Sequence, residues 1–276
     1  MSTISQFDTQ GVRLWDKPQP DTFARVTFQR PFVAPPRLPH GIRQLDISTD
    51  ANIRVKSTIN DITKTSAEYH ITSWFDTTLY SGAVNSLNLA PANLEFQNGE
   101  HTRNLIANPQ DPASTRINFE RPFVTPPKVV VFFNLIDLDK GRNWRLKTSA
   151  TSIDEKGFTL NIETWGDTIL YAAQAGWIAY PEDKTHIFST SVNTQEVRSW
   201  DKPQSQNNKA ISFGDVEFWK NPNVFVALNM FDLGCGHNFR LTAFVDQVTQ
   251  QGLTWHLDSW SDTVLYSAGA SIIAVN

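Results

Sequence analysis

Cysteine is almost missing from this 276-residue chain: Cys235 stands alone, so no intrachain disulfide can brace the fold. There is no apolar run near the roughly 18 residues that a membrane-spanning helix needs. The opening stretch, MSTISQFDTQGVRLWDKP, has neither a cationic n-region nor an apolar h-region, so it does not read as a secretory signal. The chain also lacks any Asn-x-Ser/Thr acceptor. These absences together lead us to expect cytoplasmic synthesis and residence, with a non-classical route for any release. Blocks of Lys and Arg are lacking too, and the formal net charge is −4. That balance speaks against nucleic acid or anionic lipid as a partner. Gly-x-Ser-x-Gly, phosphate-loop and His-Glu-x-x-His motifs are absent, and Cys235-Gly-His237 occurs once with no further ligands near it in sequence. We therefore expect no catalytic residue, no metal and no cofactor.

What the chain does have is a repeated unit in a globular composition, 40% apolar and 12% aromatic. Trp-x-Asp-Thr-x-Leu-Tyr begins at Trp74, Trp165 and Trp260. Twenty residues before each Trp stands Arg54, Arg145 or Arg240, closing the triplets NIR, NWR and NFR. Eight residues before each Arg stands Asp46, Asp137 or Asp232. FQRPFVAPP at Phe28 returns as FERPFVTPP at Phe119 and decays to FGDVEFWKNP at Phe213. VRLWDKPQ at Val12 returns as VRSWDKPQ at Val197, whereas the second copy has TRNLIANPQ from Thr102. A period above 90 residues is the size of a small domain, not of a solenoid unit. The boundaries read as 1–92, 93–186 and 187–276.

Each copy reads as all-β. KVVVFFNLIDL, from Lys128, is the continuous apolar and β-branched run of a buried strand. FTLNIETW, from Phe158, alternates with period two, so Phe158, Leu160 and Ile162 share a face. Pro-Pro pairs at Pro35 and Pro126 mark loops. Short strands at such intervals imply a β-sandwich.

The repeated polar residues admit two readings. Asp76 and Thr77, with their counterparts, can close a local turn while the Trp fills the core. The arginine can pair with the aspartate eight residues earlier, across a hairpin. Alternatively, the guanidinium donates directed hydrogen bonds to vicinal hydroxyls while the nearby aromatic ring offers an apolar platform. Those are the requirements of a sugar ring.

Phe-x-x-Pro with Pro-Pro, Asp-x7-Arg and Trp-x-Asp-Thr-x-apolar-Tyr together resemble the H-type lectin family of snail agglutinins and discoidin C-terminal domains, once per repeat. The resemblance implies six-stranded antiparallel β-sandwiches and a trimer. It also implies metal-free binding of terminal N-acetylgalactosamine or galactose on glycoproteins and glycolipids, in clefts between neighbouring protomers. Carried over by position, the sugar-binding residues are Arg54, Arg145 and Arg240; Trp74, Trp165 and Trp260; and Tyr80, Tyr171 and Tyr266. The residue after the Trp is Phe75, Gly166 or Ser261, and of these Phe75 is taken as a contact. The family's acidic loop residue falls on Asp16 and Asp201; copy two offers Ala107, Asn108 or Asp111, which leaves its site the least complete.

With connectors of about ten residues, neighbouring copies must pack together, and a closed ring buries every inner face. The expectation is three tandem antiparallel six-stranded β-sandwiches packed as a single-chain pseudo-threefold trimer. Each cleft would join the Arg of one repeat to loop residues, the Tyr included, of the next. Such a chain would be a multivalent agglutinin, open to further self-association and suited to adhesion or defence. The alternatives are an assembly module with degenerate sugar sites and a glycoside-processing enzyme. The second needs two free carboxylates at a defined separation.

Overall fold

The computed structural model describes residues 3–276. The first repeat runs β1 (Thr3–Asp8), a 3-10 turn (Thr9–Gly11), β2 (Asp21–Thr27), β3 (His40–Ile47), β4 (Ile53–Asn60), β5 (Ser66–Thr72) and β6 (Leu79–Asn88). The second runs β7 (Gln97–Asn104), β8 (Ser114–Asn118), β9 (Lys128–Leu138), β10 (Trp144–Asp154), β11 (Gly157–Glu163) and β12 (Leu170–Tyr180). The third runs β13 (Ile187–Asn193), a 3-10 turn (Thr194–Glu196), β14 (Asn208–Ser212), β15 (Asn223–Leu233), β16 (Phe239–Asp246), β17 (Gly252–Asp258) and β18 (Leu265–Val275).

Side-chain alternation decides what each strand buries. In β4, Ile53, Val55 and Ser57 are buried while Arg54 and Lys56 face the other way. In β17, Leu253, Trp255 and Leu257 form the buried row. β9, β15 and β18 are buried almost throughout, because one face meets a sandwich core and the other the middle of the molecule.

All strands pair antiparallel in three six-stranded sheets, ordered β1-β6-β3-β16-β17-β14, β2-β5-β4-β9-β12-β7 and β13-β18-β15-β10-β11-β8. No sheet belongs to one repeat. Each repeat gives three strands to each of two sheets, and its two triplets face each other as a sandwich. Phe7 of β1 meets Tyr69 of β5 across the first, with ring centroids 6.2 Å apart. Three seams, β4–β9, β10–β15 and β16–β3, join repeat 1 to 2, 2 to 3 and 3 to 1. The ring is therefore closed by backbone hydrogen bonds, and no seam edge is left open.

The seam register corrects the hairpin expectation for the arginines. Arg54 stands opposite Asp137, Arg145 opposite Asp232 and Arg240 opposite Asp46. Each arginine thus meets the aspartate of another repeat, not the one eight residues before it. The Asn of each Asn-apolar-Arg triplet is a seam residue as well. Asn52 accepts from the Lys140 backbone N–H at 3.1 Å, Asn143 from that of Cys235 at 3.2 Å and Asn238 from that of Thr49 at 3.1 Å.

Around the pseudo-threefold axis, β3, β9 and β15 meet one another. Gly41, Phe132 and Ala227 occupy equivalent positions there, opposite Asn85, Gly176 and Ser271. Phe132 is fully buried, and its ring lies 5.0 Å from that of Phe225. A Cβ on Gly41 would stand 2.6 Å from the Ala227 Cβ and 2.7 Å from the Phe132 ring; one on Gly176 would stand 2.5 Å from the same ring. Three copies of Phe could not share this space, and three of Gly would leave a hole. A fused chain can place one large, one small and one absent side chain on its axis.

Phe132→Ala should lower the unfolding free energy by about 3–5 kcal/mol. Gly41→Ala should lower it by about 1–3 kcal/mol through overpacking. Urea titration checks both, and parental stability in either variant would contradict this packing of the axis.

Candidate functional site

Each arginine sits on the strand at a seam, so its guanidinium lies where two repeats touch. Nη1 of Arg54 donates to Asp76 at 2.5 Å, that of Arg145 to Asp167 at 2.7 Å and that of Arg240 to Asp262 at 2.6 Å. Across the seam, Nε stands 3.7 Å from Asp137, 3.3 Å from Asp232 and 3.5 Å from Asp46. An exposed carboxylate, a guanidinium and a buried carboxylate therefore follow one another three times. The exposed members, Asp76, Asp167 and Asp262, are held below the usual carboxylate range by the arginine's hydrogen bond. Burial pushes the inner members up, with the arginine opposing it in part; Asp137 reaches about 6. The oxygen that meets Nε, Oδ1 of Asp46, Asp137 and Asp232, is itself buried, so the guanidinium is its charged neighbour across the seam.

The motif after β5, β11 and β17 shapes the rim. Thr77, Thr168 and Thr263 donate from Oγ1 to the backbone carbonyls of Asn52, Asn143 and Asn238 at 2.6, 2.5 and 2.6 Å. That bond ties the Trp-x-Asp-Thr turn to the Asn-apolar-Arg triplet and is structural. The aspartate, by contrast, spends its side chain on the guanidinium and not merely on a local turn. The residue between Trp and Asp is left-handed in every copy, with φ of 55° at Phe75, 64° at Gly166 and 57° at Ser261. A Cβ on Gly166 would stand 2.9 Å from Arg145 Nη1. This position therefore grows its side chain against the guanidinium. In the first repeat the Phe75 ring does so, with its centroid 5.2 Å from the Arg54 carbon and the ring almost fully exposed.

β-Bulges aim the tyrosines. The ladder passes from Ser81 to Leu79, from Ala172 to Leu170 and from Ser267 to Leu265, skipping Tyr80, Tyr171 and Tyr266. A bulged residue turns out of the pleat, here toward the seam. Tyr171 donates to Asp139 at 3.1 Å. Between repeats 2 and 3 lies a cleft of about 790 Å³, walled by Arg145, Trp165 and Gly166 on one side and Trp200, Asp232 and Tyr266 on the other. Between repeats 3 and 1 lies its counterpart of about 540 Å³, with Arg240, Trp260 and Ser261 facing Trp15, Gln10 and Asp46. A guanidinium, aromatic faces and a carboxylate converge in both.

The expected site residues distribute over these seams as follows. Arg145 and Trp165 of repeat 2 share a cleft with Tyr266 of repeat 3. Arg240 and Trp260 line the cleft against repeat 1, where Tyr80 lies edge-on to Trp15 at 6.1 Å. Arg54 belongs to the seam with repeat 2, near Tyr171, with the Phe75 ring of the Trp74 motif against its guanidinium. Asp16 and Asp201 are exposed and do not line the two clefts; the acids that do are Asp46 and Asp232. Trp15 and Trp200 were legible in the matching VRLWDKPQ and VRSWDKPQ openings, but those openings drew attention for their aspartates. Gln10, on the 3-10 turn, carried no sequence signal.

The raised Asp137 has a consequence for pH. Its carboxyl binds a proton at about pH 6 in the folded chain against an ordinary value of 3.8. Its contribution to stability is therefore full below the ordinary value and lost as pH rises through about 6. Asp137→Asn removes that dependence. The stability difference between variant and parent, from urea unfolding, should turn against the variant by about 1–3 kcal/mol between neutral and mildly acidic pH. A difference that does not change with pH would contradict the buried carboxyl.

The family model described as H-type lectin domain matches residues 23–85, 114–180 and 208–275, one stretch in each repeat. A curated relative, ATP synthase subunits region ORF 7 of Fuscovulum blasticum, is 35% identical over 63 residues, which is 23% of this chain and 55% of that protein. The chain thus spans about half the length of that relative. Among solved structures, discoidin II of Dictyostelium discoideum is 16% identical, with 58% of this chain and 77% of that chain covered at a TM-score of 0.27. With each of its three repeats matched by the family model, the chain belongs to the H-type lectin domain family.

Proposed function

We propose that the protein is a non-enzymatic lectin for terminal N-acetylgalactosamine or galactose, binding in the clefts between repeats. The observation that carries this reading is the cleft between repeats 2 and 3. There the Arg145 guanidinium, the Trp165 ring and the Asp232 carboxylate line one space. A pyranose needs those three things: a flat apolar platform for its C–H face, directed donors for hydroxyl oxygens and an acceptor for hydroxyl hydrogens. No step in this recognition calls for a metal. The clefts lie at the same end of the ring, because β3, β9 and β15 all finish there with Asp46, Asp137 and Asp232. Several weak sites facing one way would bind a glycan-bearing surface far more tightly than a free sugar.

One observation favours a second reading. At each seam one carboxyl is pushed up and another held down, which is how acid and base roles are divided in glycoside hydrolysis. Both carboxylates face the same guanidinium, which favours binding over catalysis. Release of nitrophenol from an aryl galactoside or aryl N-acetylgalactosaminide separates the two readings.

Trp165→Ala is a cleaner probe than an arginine variant, since its indole is more than a third exposed while Arg145 holds the seam. It should keep the parental melting temperature and weaken binding of methyl N-acetylgalactosaminide in its cleft by about 1–3 kcal/mol. Calorimetric titration checks this. Failure of the parent to bind any galacto-configured sugar on a glycan array would overturn the reading.

A further inference from the structure

The WDKP openings of repeats 1 and 3 carry two of the most exposed indoles in the molecule. Trp15 is 57% exposed and Trp200 56%. Neither is loosely held. Arg13, buried just before Trp15, donates to the Thr22 hydroxyl at 2.7 Å and to the carbonyls of Leu79 and Tyr80 at 2.8 Å each. Arg198 repeats the arrangement toward Asn207 at 2.5 Å and toward the carbonyls of Leu265 and Tyr266 at 2.9 and 2.8 Å. Both arginines grip the backbone at the Tyr bulge, on the carbonyls of the Tyr and of the Leu before it. Each loop is thereby fixed to the element that lines the cleft, and its indole lines the cleft wall. A loop backbone anchored by a buried, fully engaged cation presents its aromatic residue at a fixed place in the cleft wall.

Each of these indoles faces the motif Trp of the preceding repeat. Trp200 lines one cleft with Trp165, and Trp15 lines the other with Trp260. The seam between repeats 1 and 2 is built differently. β7 runs on to Asn104, and the opening there offers Leu105 and Ile106 in place of an indole. Its first arginine, Arg103, bonds to the Asp111 and Ile162 carbonyls and not to the Tyr171 bulge. A cleft of about 790 Å³ with aromatic platforms on opposite walls is larger than one sugar ring requires.

We infer that the clefts between repeats 2 and 3 and between repeats 3 and 1 bind at least two consecutive sugar rings. The motif Trp and Arg hold the terminal ring, and Trp200 or Trp15 holds the next. The inference rests on the sugar-binding reading above and adds a second subsite to it. It makes the three seams unequal: two take a disaccharide or longer chain, and the seam of Arg54 and Phe75 lacks the second platform.

The test is calorimetric titration of the full chain with two probes. One is methyl N-acetylgalactosaminide; the other is a disaccharide in which the same terminal sugar is linked to galactose. In the parent the disaccharide should bind more tightly. In a Trp15→Ala/Trp200→Ala double variant that preference should shrink by roughly tenfold, the effect of losing one stacking contact. Circular dichroism and melting should match the parent, since both rings are surface-exposed. Binding of both probes with an unaltered ratio in the variant would overturn the second subsite and leave the sugar reading standing. An equal loss for both probes would place Trp15 and Trp200 in the terminal-ring subsite and likewise overturn it. Binding of neither probe to the parent would sink the sugar reading and this inference with it.

Discussion

Strand pairing across the repeat boundaries is the constraint on which the rest of this molecule depends. A three-stranded half-sheet ends in an edge, and an edge exposes unpaired N–H and C=O groups. The repeats remove three pairs of such edges by pairing β4 with β9, β10 with β15 and β16 with β3. Each seam is short, four residues against four. It is reinforced by the Asn side chain that caps a neighbour's backbone and by the arginine placed opposite an aspartate. Closure into a ring follows, because a repeat with two seam edges has two neighbours, and three repeats suffice to satisfy all of them.

The seams also bring the functional groups together. An arginine in a strand would ordinarily point to solvent or into a core. Here the adjoining strand comes from another repeat and ends beside a bulge, so the guanidinium lies at the edge of a gap between domains. The buried aspartate opposite is one local concession, since burial pushes its carboxyl up and the arginine opposes that only in part. The left-handed residue after each Trp is a second local concession, cheap at Gly166 and less so at Phe75 and Ser261. It swings the Asp-Thr pair back under the arginine.

Fusion of the copies on one chain has left marks that three separate identical chains could not carry. On the axis, Gly41, Phe132 and Ala227 share a space that no single residue type would fill. At the rim, Phe75, Gly166 and Ser261 face three equivalent guanidinium groups with a ring, nothing and a hydroxyl. The opening loops differ in the same way, with an indole at Trp15 and Trp200 and aliphatic residues in the second copy. Each difference sits where copies meet, which is where separate evolution of the three positions has a physical effect.

Much of this was legible in the residues themselves. Period-two alternation and the Pro-Pro pairs marked strands and loops, and the threefold recurrence of Asp, Asn-apolar-Arg and Trp-x-Asp-Thr marked three copies of one small domain. Short connectors required those copies to touch. The partner of each arginine could not be read that way. The aspartate eight residues earlier and the aspartate of the next repeat occupy the same place in the pattern, so spacing alone cannot tell them apart. The tertiary structure decided between them through strand register at the seams. It likewise decided that Trp15 and Trp200 stand in a neighbour's cleft while Asp16 and Asp201 point to solvent. Sequence determined the repeats, their strands and their residue types, because these follow from local periodicity. Which repeat completes which site was settled by strand pairing between segments far apart in the chain, Arg54 with Asp137, Arg145 with Asp232 and Arg240 with Asp46, which no local pattern encodes.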